Sequence, residues 1–497
     1  MRVLLRAGKN LAQRRLLLEK NLQSRIGYTT TDNCPRSARA RIIRGNNMFT
    51  ENLSRRTFLK FSGVAAAGLG LAACGGGSGD SDGASAEGAF KLGGIGPITG
   101  AAAIYGNATK YGAQVAVDAI NEAAGKSVFV LNWQDDEHDP EKSVNAYNTL
   151  KDWGMQILVG TTTTAPCVAV STETNADSIF QLTPSASSTD VIGGQADEDG
   201  NVTIPRKDNV FQMCFTDPNQ GTASAKYIAE QKLGSKIAII YNNADAYSTG
   251  IYRKFAAEAE TLGLEVVSTT TFTDDNASDF TVQLGKAKSA NADLVFLPIY
   301  YTPASLILTQ ANTMGYAPKF FGVDGMDGIL TVEGFDTKLA EGVMLLTPFV
   351  ATASDAATQD FVAKYKKLAN EEPNQFAADA FDCVMAIDLA IKQAGVDASA
   401  SAAEICDALV KLFAGGQITY SGLTGENMSW SDTGEVTKDP KGMVIVNGVY
   451  EPMDEQGTQA AAEAQDANEV AEEAATEEGA AADETAAENA DAEVPAE

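Results

Sequence analysis

Asp135-Asp136-Glu137-His138-Asp139-Pro140 gathers five ionisable side chains into six residues, and His138 is the only histidine in the chain. Carboxylates and an imidazole at that density could hold a metal ion, and a Ser-His or Cys-His mechanism would have to pass through this loop. The competing reading is structural: the segment follows a strand pattern and precedes a helix pattern, where Asp-Pro makes a turn and an N-cap. On that reading no catalytic residue and no metal ligand is assigned. Gly94-Ile95-Gly96 starts like a dinucleotide fingerprint, but Thr99 stands where the third glycine belongs and Pro97 removes a phosphate-facing N–H, so no cofactor is assigned either.

Five other segments share a different chemistry: Gly96-Pro97-Ile98-Thr99-Gly100, Gly160 with Thr161 to Thr164, Thr183-Pro184-Ser185-Ala186-Ser187, Tyr300-Tyr301, and Gly322-Val323-Asp324-Gly325. Hydroxyls, backbone amides, tyrosines and one acid recur, without a base. A helix N-terminus beside the threonine run offers N–H groups to a carboxylate, and Asp324 can pair with an ammonium. Charge-assisted hydrogen bonds contribute roughly 1.5 to 3 kcal/mol each, so four or five suffice for micromolar binding, about −8 kcal/mol. The chemistry implied is capture of a small zwitterion without turnover.

The elements that must carry these segments read as repeated βαβ units. Strands are predicted at Phe90 to Ile95, Val128 to Trp133, Ile157 to Val159, Ile179 to Leu182 and Val210 to Phe215. The first helix shows one apolar face, Ala108, Tyr111, Gly112, Val115 and Ala119. Further helices are predicted at Ser143 to Trp153 and after Pro166. After Phe215 the pattern restarts, with helices at Thr222 to Lys232, Gly250 to Leu262 and Phe280 to Ser289. Strands alternate with them at Lys236 to Tyr241, Glu265 to Ser268 and Leu294 to Ile299. Two α/β lobes imply a cleft, and open parallel sheets bind ligands beyond the C-terminal ends of their strands. The chemistry-bearing segments fall there.

Ser54-Arg55-Arg56-Thr57-Phe58-Leu59-Lys60 has a twin-arginine layout, followed by an apolar run to Ala73 too short to span a bilayer as an ordinary helix. Leu71-Ala72-Ala73-Cys74 resembles a lipobox, which makes Cys74 the expected lipidation site. Residues 48–73 are therefore read as signal peptide, starting at Met48, and 74–89 as a flexible tether. Residues 1–47 carry eleven Lys and Arg against Glu19 and Asp32 and are read as a non-native extension. The whole chain bears 37 Lys and Arg against 66 Asp and Glu, and removing residues 1–73 leaves a net charge of about −40. Nucleic acid and bare anionic lipid are poor partners for that field. Residues 454–497, rich in Ala and Glu with no Lys or Arg, are read as an acidic disordered tail. Of the remaining cysteines, Cys167, Cys214, Cys383 and Cys406, the last two lie in apolar helical patterns and are expected as buried free thiols, although an exported chain could pair them.

Phe90 to about Glu451 resembles the leucine/isoleucine/valine-binding branch of the periplasmic solute-binding proteins of ABC transporters. The motifs that carry the likeness are Gly96-Pro97-Ile98-Thr99-Gly100 with Tyr105-Gly106, the Asp135-Asp136 and Asp139-Pro140 loop, Gln220-Gly221, and Phe376 to Asp382. The resemblance implies a type I periplasmic binding protein, two Rossmann-like α/β lobes with parallel sheets joined by a three-strand hinge. Lobe 1 would comprise 90–214 and 349–418, and lobe 2 would comprise 215–348 and 419–453. The crossovers would lie near Phe215 to Asp217, Leu346 to Pro348 and Thr419 to Ser421.

Carried over by position, the resemblance implies that Thr163, Thr164, Ser185, Ala186 and Ser187 hold the polar ends of an amino acid. Asp324 would take the ammonium, where the family normally has a glutamate. Tyr105, Tyr247, Tyr300 and Phe376 would line the side-chain pocket. The disulfide of some members would be absent, because His138 and Thr163 stand at its positions. The implied protein is no enzyme but a monomeric, lipid-anchored binding component that delivers an amino acid to ABC permease subunits outside the cytoplasm. Its alternatives are a ligand sensor for an amide or aromatic compound, and a surface-tethered metal-dependent hydrolase.

Overall fold

Residues 88–196, 201–438 and 441–453 are described by a computed structural model; the expectations for the extension, the signal peptide, Cys74, most of the tether and the acidic tail lie outside them. The first lobe is built on a parallel sheet of β1 (Phe90–Ile95), β2 (Phe129–Gln134), β3 (Ile157–Gly160), β4 (Phe180–Thr183) and β7 (Val210–Gln212), in the order β2-β1-β3-β4-β7. A short hairpin, β5 (Gln195–Ala196) with β6 (Val202–Ile204), is set into the connection before β7. The helices α1 (Ala103–Ala124), α2 (Pro140–Trp153) and α3 (Thr164–Asp177) connect the first four strands. Strands β3, β4 and β7 are buried throughout, as a parallel sheet covered on both faces requires.

The second sheet runs β16-β15-β12-β11-β10-β8-β9. Its parallel part is β8 (Lys236–Asn242), β9 (Glu265–Phe272), β10 (Leu294–Leu297), β11 (Lys319–Gly322) and β12 (Met344–Thr347), connected by α4 (Asp217–Glu230) ahead of β8, α5 (Ala246–Leu262), α6 (Thr281–Ser289) and α7 (Tyr301–Thr313). The antiparallel hairpin β15 (Lys441–Val446) and β16 (Val449–Pro452) closes its edge. After β12 the chain returns to the first lobe as α8 (Ala356–Ala369), α9 (Gln375–Ala394) and α10 (Ala402–Phe413). Helix α9 lies along α1 so closely that a Cβ on Gly112 would sit 2.0 Å from the carbonyl oxygen of Ala377. Only glycine permits that approach.

The third crossover falls later than the sequence suggests. Residues 419–437, including β13 (Thr419–Tyr420) and β14 (Met428–Ser429), stay with the first lobe: Met428, Trp430 and Val436 enter its core beside Phe211 and Phe413. Trp430 Nε1 donates to Gln212 O at 2.8 Å, and Gln212 N to Gly434 O at 3.0 Å. Lys438 still pairs with Asp379 of the first lobe and β15 of the second sheet starts at Lys441, so the boundary expected at 419 falls after 438. Buried aromatic area, on the order of 2 kcal/mol for a side chain of this size, holds the hairpin where it is.

The Phe376 to Asp382 stretch anchors this last passage. Asp382 accepts from Tyr420 Oη, Leu423 N, Thr424 N and Thr424 Oγ1. Asp379, one turn earlier, pairs with Lys438 at 2.5 Å, and both are buried. Burial pushes the Asp379 carboxyl up to about 6, against the opposing pull of Lys438. Cys167, Cys214, Cys383 and Cys406 are all buried and free.

Candidate functional site

The site's donor-rich wall is built at the ends of β1, β3 and β4. Helix α3 starts at Thr164, with Thr163 as an extended N-cap whose side chain does not cap the helix. That hydroxyl instead meets His138 Nδ1 at 2.8 Å, so the two positions implied for a disulfide are joined by a hydrogen bond. Burial lowers the His138 pKa, against the opposing pull of Asp274 and Asp139. Thr163 and Thr164 line the cleft at the positive dipole end of α3, where the N–H groups not already used are those of Thr164 and Ala165, since Pro166 has none and Cys167 N donates to Thr163 O. The threonine loop is fixed from behind: Thr183 Oγ1 donates to Thr161 O at 2.7 Å, Ser185 Oγ to Thr162 O at 2.6 Å, and Thr109 Oγ1 lies 2.7 Å from Thr162 Oγ1.

The acidic loop is used structurally. Asp139 caps α2 by accepting from Glu141 N and Lys142 N, with Pro140 in the first turn. Asp135 accepts from Ile98 N at 2.9 Å and Thr99 Oγ1 at 2.6 Å, which pins the loop that precedes α1.

Opposite stands Asp324, in a 3₁₀ turn after β11 and only 3% exposed. Tyr247 Oη donates to its Oδ1 at 2.6 Å, and its backbone N–H donates to Gln220 Oε1 at 3.3 Å. Burial pushes the carboxyl up to about 7. Because this folded value lies above the unfolded one, the group's contribution to stability is full below about pH 4 and is lost as pH rises through about 7. A cation beside Asp324 reverses that penalty. Asp217, at the first turn of α4, is buried, and burial holds its pKa well above the usual range against the opposing pull of the Ser187 hydroxyl. Asp324 raises it further. The pole is thus acidic and without a basic side chain in the cleft lining.

Aromatic rings join the poles. Tyr247 and Tyr300 stack with centroids 4.7 Å apart, while Tyr105 meets Phe376 and Tyr301 edge-on, each at 4.7 Å. Tyr105 Oη donates to Gly325 O across the cleft and accepts from Tyr301 N at 3.2 Å. Tyr301 Oη donates to Ala101 O at 2.8 Å, and Gln375 N to Asp327 Oδ2 at 2.9 Å. One apolar cluster runs through both lobes, from Ala102, Tyr105 and Phe376 to Ile299, Met326 and Ile329. The lobes are therefore closed on each other, and the enclosed space is about 10 Å³, room for one water. Entry of anything larger requires the lobes to part.

Of the ten residues expected here, Tyr105, Thr163, Thr164, Ser185, Tyr247, Tyr300, Asp324 and Phe376 line this space together. Ala186 and Ser187 do not line it. Gln212 Nε2 donates to Ala186 O at 2.7 Å and to Ser188 O at 3.0 Å, turning this loop inward, and the buried Ser187 side chain lies against the Asp217 carboxyl. Thr162 and Gly325 line it unassigned beforehand, although both sit inside segments singled out from the sequence.

Comparison with known proteins follows the same lines. A family profile described as periplasmic binding protein matches residues 89–446, and a profile for the TAT (twin-arginine translocation) pathway signal sequence matches residues 52–72. Leu/Ile/Val-binding protein homolog 3 of Brucella melitensis is 28% identical over 338 residues, covering 67% of this chain and 87% of that protein. The branched-chain amino acid transporter substrate binding protein of Streptococcus pneumoniae, crystallised with isoleucine, superposes with a TM-score of 0.62 at 27% identity, over 73% of this chain and 98% of that one. A solute binding protein from R. palustris crystallised with benzoate has a TM-score of 0.63 at 18% identity, over 74% and 96%, a likeness of fold.

Proposed function

This chain belongs to the periplasmic binding protein family, and from that premise we propose that it is an exported receptor which captures an aliphatic amino acid between its lobes. The observation that carries the reading is the polarity of the cleft: hydroxyls and a helix N-terminus at one end, buried Asp324 at the other, and a wall of four aromatic rings between. A zwitterion with an apolar side chain matches both poles. Thr164 and the α3 amides would hold the carboxylate, Ser185 would brace it, and Asp324 with Tyr247 would hold the ammonium. Tyr105, Tyr300 and Phe376 would enclose the side chain. The named ligands of the Brucella and Streptococcus relatives favour leucine, isoleucine or valine.

Lobe closure then supplies the recognisable state. Delivery to ABC permease subunits is the role we assign to the closed form, with Cys74 lipidation keeping the protein at the outer face of the membrane. Cellular uptake of the ligand, lost on deletion of the gene, tests delivery; uptake unchanged by deletion would favour a sensor. Acyl labelling that persists in Cys74→Ser would remove the anchor. The binding claim itself is tested by calorimetric titration of the full chain with leucine, isoleucine, valine, phenylalanine and short amides. Micromolar or tighter binding of at least one branched-chain amino acid is expected; silence across the panel would end the amino-acid reading.

A further inference from the structure

His138 does not line the cleft, yet it touches two residues that do, one from each lobe. On its own lobe its Nδ1 lies 2.8 Å from the hydroxyl of Thr163, at the start of α3. From the other lobe Tyr300, the residue before α7, meets its ring edge-on, with centroids 5.8 Å apart and planes at 86°. The first contact lies within one lobe and does not depend on closure. The second joins the lobes and parts with them.

The acidic loop holds the ring at this seam. His138 has a φ of 63°, in the left-handed region that His, Asn and Asp enter more readily than most residues. Its backbone N–H donates to Asp136 Oδ1 at 3.0 Å, and the next residue, Asp139, caps α2. Closing the lobes takes the imidazole out of water against Tyr300, where a charge is costly. Two carboxylates oppose that cost: Asp139 in the same loop, and Asp274 of the second lobe, which accepts from Asn242 Nδ2 at 2.7 Å. The starts of α3 and α7 present Thr163 and the phenol of Tyr300. Burial prevails over both acids, and the ring's pKa falls below its ordinary 6.5.

We propose, on the amino-acid reading above, that His138 is a positioning residue for ligand capture: it holds Thr163 on one wall and seats against Tyr300 of the other when the lobes close, so that protonating its ring opposes closure and loosens the grip on the ligand. Because the closed form holds this proton less tightly than the open form, closure is unopposed well above pH 6.5 and weakens as pH falls through it. For a ring of ordinary value 6.5 the weakening at pH 5 is at most about 30-fold.

The test uses the full chain with leucine. His138 is the chain's only histidine, so nuclear magnetic resonance of histidine-labelled protein follows one imidazole, and leucine is expected to move its titration to lower pH. Calorimetric titration at pH 8 and pH 5 is repeated with His138→Asn, which suits the left-handed backbone, keeps a hydrogen-bonding atom for Thr163 and cannot titrate. At pH 8 the variant should bind leucine roughly 2- to 12-fold more weakly, through loss of the edge-on ring pair. Between pH 8 and pH 5 the parent's dissociation constant should rise at least about threefold more than the variant's. Asp136, Asp245 and Asp324, which burial raises to about 7, 6 and 7, titrate in both chains and drop out of that difference. Equal rises, or a histidine titration that leucine leaves in place or raises, overturn this role and leave the amino-acid reading standing. No heat from leucine with the parent at pH 8 overturns the amino-acid reading and this role with it.

Discussion

Asp324→Asn should weaken amino-acid binding by roughly 30-fold to several thousand-fold, because breaking one side of a buried charge pair costs about 2 to 5 kcal/mol. The geometry makes this a substitution of charge alone. Asparagine keeps an oxygen for the Tyr247 hydroxyl, now 2.6 Å from Oδ1, and the backbone bond to Gln220 is untouched. Stability of the unliganded protein should move the other way. A carboxyl pushed from 3.8 to about 7 by burial carries a penalty on the order of 4 kcal/mol at pH 8, which the neutral amide relieves. Since the penalty grows as pH rises from about 4 to 7, the stability gain should be largest at pH 8 and fall to about 1.6 kcal/mol at pH 5. Calorimetric titration with leucine and differential scanning calorimetry at the two pH values measure both halves. A dissociation constant within threefold of the parent refutes the assignment of Asp324 to the ammonium. A melting temperature that falls at pH 8 refutes the account of its burial.

Other expectations follow from the same contacts. Tyr105→Phe removes the hydroxyl shared by Gly325 O and Tyr301 N, so the closed form loses about 1 to 3 kcal/mol and the dissociation constant should rise about 5- to 150-fold with unchanged circular dichroism; unchanged affinity would count against this bridge. Lys438→Met strands Asp379 and should cost about 3 to 5 kcal/mol in urea denaturation, while Lys438→Met with Asp379→Leu should recover most of it. Additive losses in the double variant would show that the pair does not act as one unit. Near pH 6.5 the bound ammonium lowers the Asp324 pKa from about 7, so binding should release protons, seen as an apparent enthalpy that varies with buffer ionisation heat; a buffer-independent enthalpy would contradict this.

Much of the site was legible because the chemistry-bearing loops follow strands, and parallel sheets bring strand ends together. Thr164, Tyr300 and Asp324 are far apart in sequence yet line one space for that reason. Ala186 and Ser187 do not line this space, because the inward turn of their loop depends on Gln212, a partner on β7 that no local pattern reveals. The late crossover has a similar cause. Met428 and Trp430 lie on a very short hairpin with little periodicity, and only the first lobe's core shows where they go. Helices α3 and α4 begin before their expected starts, each with a proline in the first turn, where a missing N–H costs nothing.

The most direct test of the central claim is a crystal structure of the protein with a bound branched-chain amino acid. The account predicts its carboxylate at Thr164 and the first turn of α3, its ammonium within hydrogen-bond distance of Asp324, and its side chain among Tyr105, Tyr300 and Phe376. A ligand bound in the reverse orientation, or outside this cleft, would contradict it.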